Sequence, residues 1–126
     1  MRPAVIRADE RREIATPERC CILELAGAAA DPNLSVARAR VSPGTVTEWH
    51  QLSGVDERYL VVRGAGRAEV AGLAPTPVGP GDLVLIPRDT PQRIANTGRD
   101  DLVFYCLCTP AFRPECYVAR HDLDRD

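Results

Sequence analysis

Short apolar runs, each cut off by Gly, Pro, Asp or Asn, recur along the whole chain, and the spacing of an amphipathic helix hardly occurs. Cys20 to Leu25 is one such run, with a turn over Ala28 to Asn33. Leu34 to Val41 alternates, placing Leu34, Val36, Arg38 and Arg40 on one face and Ser35, Ala37, Ala39 and Val41 on the other. Ser42-Pro43-Gly44 turns the chain into Thr45 to His50. Arg58 to Arg63 and Arg67 to Val70 flank the hairpin turn Gly64-Ala65-Gly66. Leu83 to Ile86 reads as a buried run stopped by Pro87, Arg93 to Asn96 as a short strand, and Leu102 to Cys108 as a long one closed by Thr109-Pro110. About eight to ten short strands at regular spacing predict an all-β sandwich or barrel. The 11 prolines and 9 glycines among 126 residues agree with a chain that turns often. One domain is expected over 1–126, with its core at about 20–110 and a charged tail over 113–126 that is partly helical or frayed.

Composition narrows the chemistry. All sixteen basic residues are arginine, which excludes lysine Schiff-base catalysis and a phosphate-loop lysine. A net charge of −2 gives no electrostatic footprint for nucleic acid, and no run is long enough to span a membrane. Five cysteines, an odd number, follow an N-terminus without the apolar core of a secretion signal. Free thiols in a reducing cytoplasm are therefore expected. Cys106 and Cys108 share one strand face, so both or neither point inward.

Two blocks carry the polar residues of interest. In the first, Gly44 is followed by five residues, His50-Gln51-Leu52, four more, Glu57, six more and Gly64. In the second, Gly81 is followed by five residues, Pro87-Arg88-Asp89, two more, Gln92, three more and Asn96. Alternation puts Glu57, Tyr59 and Val61 on one face and turns Trp49 away from His50.

These two blocks resemble the paired motifs of the cupin superfamily. The resemblance implies a double-stranded β-helix (jelly-roll) barrel of the small single-domain type, a homodimer, and a small-molecule pocket at the barrel mouth. In cupins that bind metal, the ligands are two histidines and a glutamate from the first motif and a histidine from the second. Those positions here hold His50, Leu52, Glu57 and Gln92, and the glycine of the second motif is Asp89. One expectation is a reduced site, with His50, Glu57 and Gln92 holding a divalent ion such as Mn, Fe, Ni or Zn. The other is a metal-free pocket in which His50 and Glu57 act as base and acid, helped by Tyr59. Arg38, Arg40 and Gln92 are candidates for binding a substrate, the arginines by accepting an anionic group. The function classes implied are an isomerase, a lyase or dehydratase, or an oxygenase acting on a small polar metabolite. The alternative is a non-catalytic small-molecule binder or sensor.

Overall fold

The computed structural model describes residues 1–124; Arg125 and Asp126, at the end of the charged tail, lie outside the described residues. Eleven strands are present among those residues, and all of their pairings are antiparallel. They are β1 (Ile14–Ala15), β2 (Cys21–Ala26), β3 (Ser35–Val41), β4 (His50–Leu52), β5 (Asp56–Arg63), β6 (Gly66–Val70), β7 (Thr76–Val78), β8 (Leu83–Ile86), β9 (Gln92–Asn96), β10 (Leu102–Thr109) and β11 (Tyr117–Ala119). One sheet runs β1-β2-β3-β10-β5-β8, and the other runs β11-β4-β9-β6-β7. The inner faces bury Val41, Val61, Ile94, Leu102 and Phe104 almost completely. The all-β double-stranded β-helix is thus the observed architecture.

The motif glycines have a backbone reason. Gly44, Gly64 and Gly81 all adopt positive φ, at 76°, 86° and 91°. At Gly64 an added Cβ would also sit 2.5 Å from the Asp101 carbonyl oxygen. Asp89, which replaces the glycine of the second motif, itself sits at φ 61°. An aspartate tolerates that region better than most residues, and here its carboxylate also accepts from the Gly54 N–H at 3.1 Å.

Three local expectations change. Leu83 to Ile86 forms a strand, but it alternates: Val84 and Ile86 are buried, while Leu83 and Leu85 are exposed, because β8 is the sheet edge and only one face meets the core. Thr45 to Trp49 makes a single bridge, Val46 with Ala95, and the ladder begins only at His50. Over 113–124 the partly helical tail has only two short 3-10 turns, with a strand between them. It forms a short 3-10 turn at Pro114–Cys116, then β11 paired with β4, then a second turn at His121–Leu123. Strand pairing therefore extends from Ile14 to Ala119.

Candidate functional site

Register brings the two motifs together. His50 on β4 is directly opposite Gln92 on β9, in one sheet. Glu57 on β5 is opposite Cys108 on β10, and Tyr59 is opposite Cys106, in the other sheet. All four residues of interest are buried: His50 at 4% exposure, Glu57 at 7%, Tyr59 at 6% and Gln92 at 1%. Alternation explains the inward pair Glu57 and Tyr59, and the antiparallel ladder explains the pair His50 and Gln92.

The Gln92 amide spans the gap between the sheets. Its Nε2 donates to Glu57 Oε1 at 2.8 Å and lies 2.9 Å from His50 Nε2. Its Oε1 accepts from the Tyr59 hydroxyl at 2.9 Å. One orientation of the amide satisfies all three contacts, and it fixes the histidine tautomer. Nε2 of His50 accepts, so Nδ1 carries the proton and donates to the Glu48 carbonyl at 2.8 Å. Both ring nitrogens of His50 are therefore engaged, and its ring stacks on Tyr117 with centroids 4.8 Å apart.

Glu57 is the group this arrangement tunes. Burial disfavours its charged form and pushes its pKa up to about 7. The thiol of Cys108, 3.5 Å from Oε2, works in the opposite direction by donating to the carboxylate, and the nearby charge of Glu18 adds to the rise. Burial also pushes Tyr59 well above its ordinary value, so its hydroxyl stays protonated and remains a donor. The thiols of Cys106 and Cys108 are likewise pushed up by burial and stay protonated; all five cysteines are free.

Glu57, Tyr59 and His50 border a cavity of about 290 Å³. Cys106 and Cys108 both face it, as shared alternation requires. Its remaining wall is largely apolar, with Ile22, Leu52, Phe104 and Phe112 among the lining residues. Leu52, two residues beyond His50, is buried against Val55, Cys108 and Cys116. An aliphatic side chain thus fills the place of a second imidazole.

Would a divalent ion fit? His50 Nε2 and Glu57 Oε1 both point at the Gln92 NH2 group, which cannot ligate, and the one amide oxygen is turned to Tyr59. Two donors, already satisfied by an amide, do not make the three or four that a protein metal site uses. Among the described residues, no group of three or more His, Cys, Asp or Glu is placed to hold a metal ion. The arrangement does not fit the reduced metal site expected from the motif.

Arg38 and Arg40 do not line the cavity. Arg38 is held by Glu10 and Glu13, and Arg40 by Glu13 and Asp101, on the opposite face of β3. Alternation puts both arginines on one face of β3 without saying which face is inner, and the carboxylates that neutralise them come from the N-terminal segment (Glu10, Glu13) and from the turn before β10 (Asp101). They are corrected from substrate ligands to outer-face ion pairs. Arg93, next to Gln92, also points away; it pairs with Glu69 at 3.1 Å and lies over the Trp49 ring. The residues that motif reasoning does not reach come from the ends of the chain. Glu18, in the turn before β2, and Tyr117, at the start of β11, both line the cavity. Glu18 lies 3.8 Å from His50 Nδ1, and the Tyr117 hydroxyl donates to the Glu48 carboxylate at 2.5 Å.

A family model described as a cupin domain matches residues 37–108. Solved structures similar to this chain include KdgF from Halomonas sp., at 22% identity and a TM-score of 0.76, covering 89% of this chain and 98% of that one. A predicted oxalate decarboxylase from Thermotoga maritima matches at 23% identity and TM-score 0.76, over 85% and 99% of the two chains. Pac13 from Streptomyces, described as a nucleoside dehydratase, matches at 17% identity and TM-score 0.74, over 93% and 92%. Identities this low carry the fold and nothing finer. No curated protein matches the chain in sequence.

Proposed function

Because the chain belongs to the cupin family, whose fold hosts many chemistries, we propose from the site itself that it is a metal-independent acid–base enzyme acting on a small metabolite. The observation that carries this reading is the Glu57 carboxyl: buried, bordering an apolar cavity, and poised near neutrality. A general base works best when its pKa lies near the working pH.

The reaction is proton transfer at a carbon beside a carbonyl. Glu57, as carboxylate, takes the proton from that carbon and becomes the acid, leaving an enolate. On an α-hydroxy carbonyl, returning the proton to the former carbonyl carbon, while the hydroxyl proton passes to the enolate oxygen, completes an isomerisation. Delivering it instead to a β-hydroxyl that leaves completes an elimination, with water as product. Each route returns Glu57 to its carboxylate, so one group serves as both base and acid. The description of Pac13 as a dehydratase makes elimination the first route to try.

The other residues position this group. Gln92 holds Glu57 Oε1, and Tyr59 and His50 hold Gln92. With both nitrogens committed, His50 is a positioning residue here rather than the base.

The test is solvent deuterium incorporation, followed by NMR, into a panel of small hydroxy-carbonyl compounds. The reading predicts exchange at the carbon next to the carbonyl in at least one compound, lost in Glu57→Gln while that variant still binds it. Binding without exchange anywhere in the panel would favour the non-catalytic binder, which the saturated hydrogen bonds of His50 also suit.

A further inference from the structure

The cavity has carboxylates on its wall, and among the described residues no buried cation faces them. Glu57 is 7% exposed, and among the described residues its carboxylate meets neutral donors: the Gln92 amide, the Cys108 thiol and the Tyr59 hydroxyl. The Glu18 side chain is 19% exposed. Its nearest basic neighbour is His50 Nδ1 at 3.8 Å, whose proton already goes to the Glu48 carbonyl at 2.8 Å. Glu24 also lines the cavity but is exposed, as is Arg12 of opposite charge, the one basic side chain at the lining among the described residues besides His50, so the buried charge rests on Glu18 and Glu57. The arginines that could have balanced this charge, Arg38 and Arg40, face outward and are neutralised there. Most of the remaining wall is hydrocarbon and aromatic ring, including Phe104, Phe112 and Tyr117.

A low-dielectric cavity amplifies whatever charge it holds. An anionic ligand would meet like charge with no donor pair to receive it. A cation would give Glu18 and Glu57 the countercharge that their neutral hydrogen-bond donors do not supply, and aromatic faces favour it as well. We propose that this cavity takes a small organic cation, a protonated amine on a compact hydrocarbon body, and rejects carboxylates of the same size. The proposal rests on the reading of the cavity as the substrate site and narrows its substrate class; it does not require the proton-transfer step.

Three ring compounds of one size separate the alternatives: cyclohexylamine, cyclohexanol and cyclohexanecarboxylate, titrated into the full chain at pH 8 by NMR. The expected order is amine, then alcohol, then carboxylate, with the amine ahead of the alcohol by about 10-fold or more. Glu18→Gln should weaken the amine by roughly 10-fold and leave the alcohol unchanged, which also reports that the variant is folded. A carboxylate that binds as well as the amine overturns the proposal. So does an amine no better than the alcohol, an amine indifferent to Glu18→Gln, or a failure of all three probes to bind. Loss of the exchange reaction with amine selectivity intact would count against Glu57 chemistry alone. Carboxylate preference with exchange intact would count against the charge assignment alone.

Discussion

Gln92 Nε2 lies 2.8 Å from Glu57 Oε1 and 2.9 Å from His50 Nε2, so a single neutral amide ties the carboxylate of one sheet to the imidazole of the other. A metal ion would need to point both of those atoms at itself; here an NH2 group has that place. The consequence is a carboxylate held by hydrogen bonds rather than by charge, which leaves its proton affinity high.

Glu57 should therefore cost stability at alkaline pH. Burial raises its folded pKa from an ordinary 4.5 to about 7, so the folded state binds the proton more tightly than the unfolded chain. Stability linked to this group is fully present below about 4.5 and is lost as pH rises through about 7. The loss is on the order of 3 kcal/mol. Glu57→Gln mimics the neutral form. It is expected to be more stable than wild type by a similar amount at pH 8 and equal to it near pH 4, as read by urea unfolding. A wild type as stable as the variant at pH 8 would mean that the carboxylate has a cationic partner.

The Tyr59 hydroxyl should matter to folding more than its position beside the cavity suggests. It donates to Gln92 Oε1, and its ring packs on Phe104 with centroids 4.4 Å apart. Tyr59→Phe keeps the ring and strands a buried amide oxygen, a loss of about 1–2 kcal/mol. Chemical denaturation measures it. An unchanged midpoint would show that Gln92 Oε1 has another partner.

Arg38 and Arg40 offer a contrast. Replacing either with alanine removes partly exposed ion pairs to Glu10, Glu13 or Asp101, worth about 1 kcal/mol or less each. Ligand affinity in the cavity should stay within roughly two-fold of wild type, since neither side chain reaches it. A ten-fold loss of affinity for the amine probe would return them to the ligand set.

The outer face of the larger sheet leaves Leu83 and Leu85 of the edge strand β8 exposed, with Val62 of β5 nearby. We propose that the homodimer implied by the cupin resemblance forms here. Two copies can pack these outer faces against each other about a two-fold axis and so cover the same leucines on both sides. Sedimentation should give a dimer for wild type and a monomer for Leu85→Glu. A monomeric wild type contradicts the proposal.

Much of this was legible in the sequence. The spacing from Gly44 to Asn96 marked His50, Glu57 and Gln92, and the ladder registers bring the three within hydrogen-bond reach of one another. Alternation gave the inward Tyr59 and the outward Trp49 and Arg93. The arginines of β3 were misassigned because alternation separates two faces without saying which is inner. Their acidic partners, Glu10 and Glu13, are far away in the chain. Glu18 and Tyr117 stayed hidden for a similar reason: both reach the cavity through tertiary packing of the chain ends, and no spacing rule marks them. The sequence could name Gln92 as a substituted ligand, but only the hydrogen bonds reveal which end of its amide faces Glu57.

The most direct measurement is metal content. The protein would be incubated with Mn, Fe(II), Ni or Zn, desalted, and analysed by mass spectrometry beside the double variant Leu52→His, Gln92→His. Wild type is expected to retain well under one ion per chain, because the Gln92 amide occupies the ligand atoms. The double variant, with a full His and carboxylate set, should retain roughly one. Wild type that holds about one ion per chain, and loses it in His50→Ala, would contradict the account and make Gln92 a metal ligand after all.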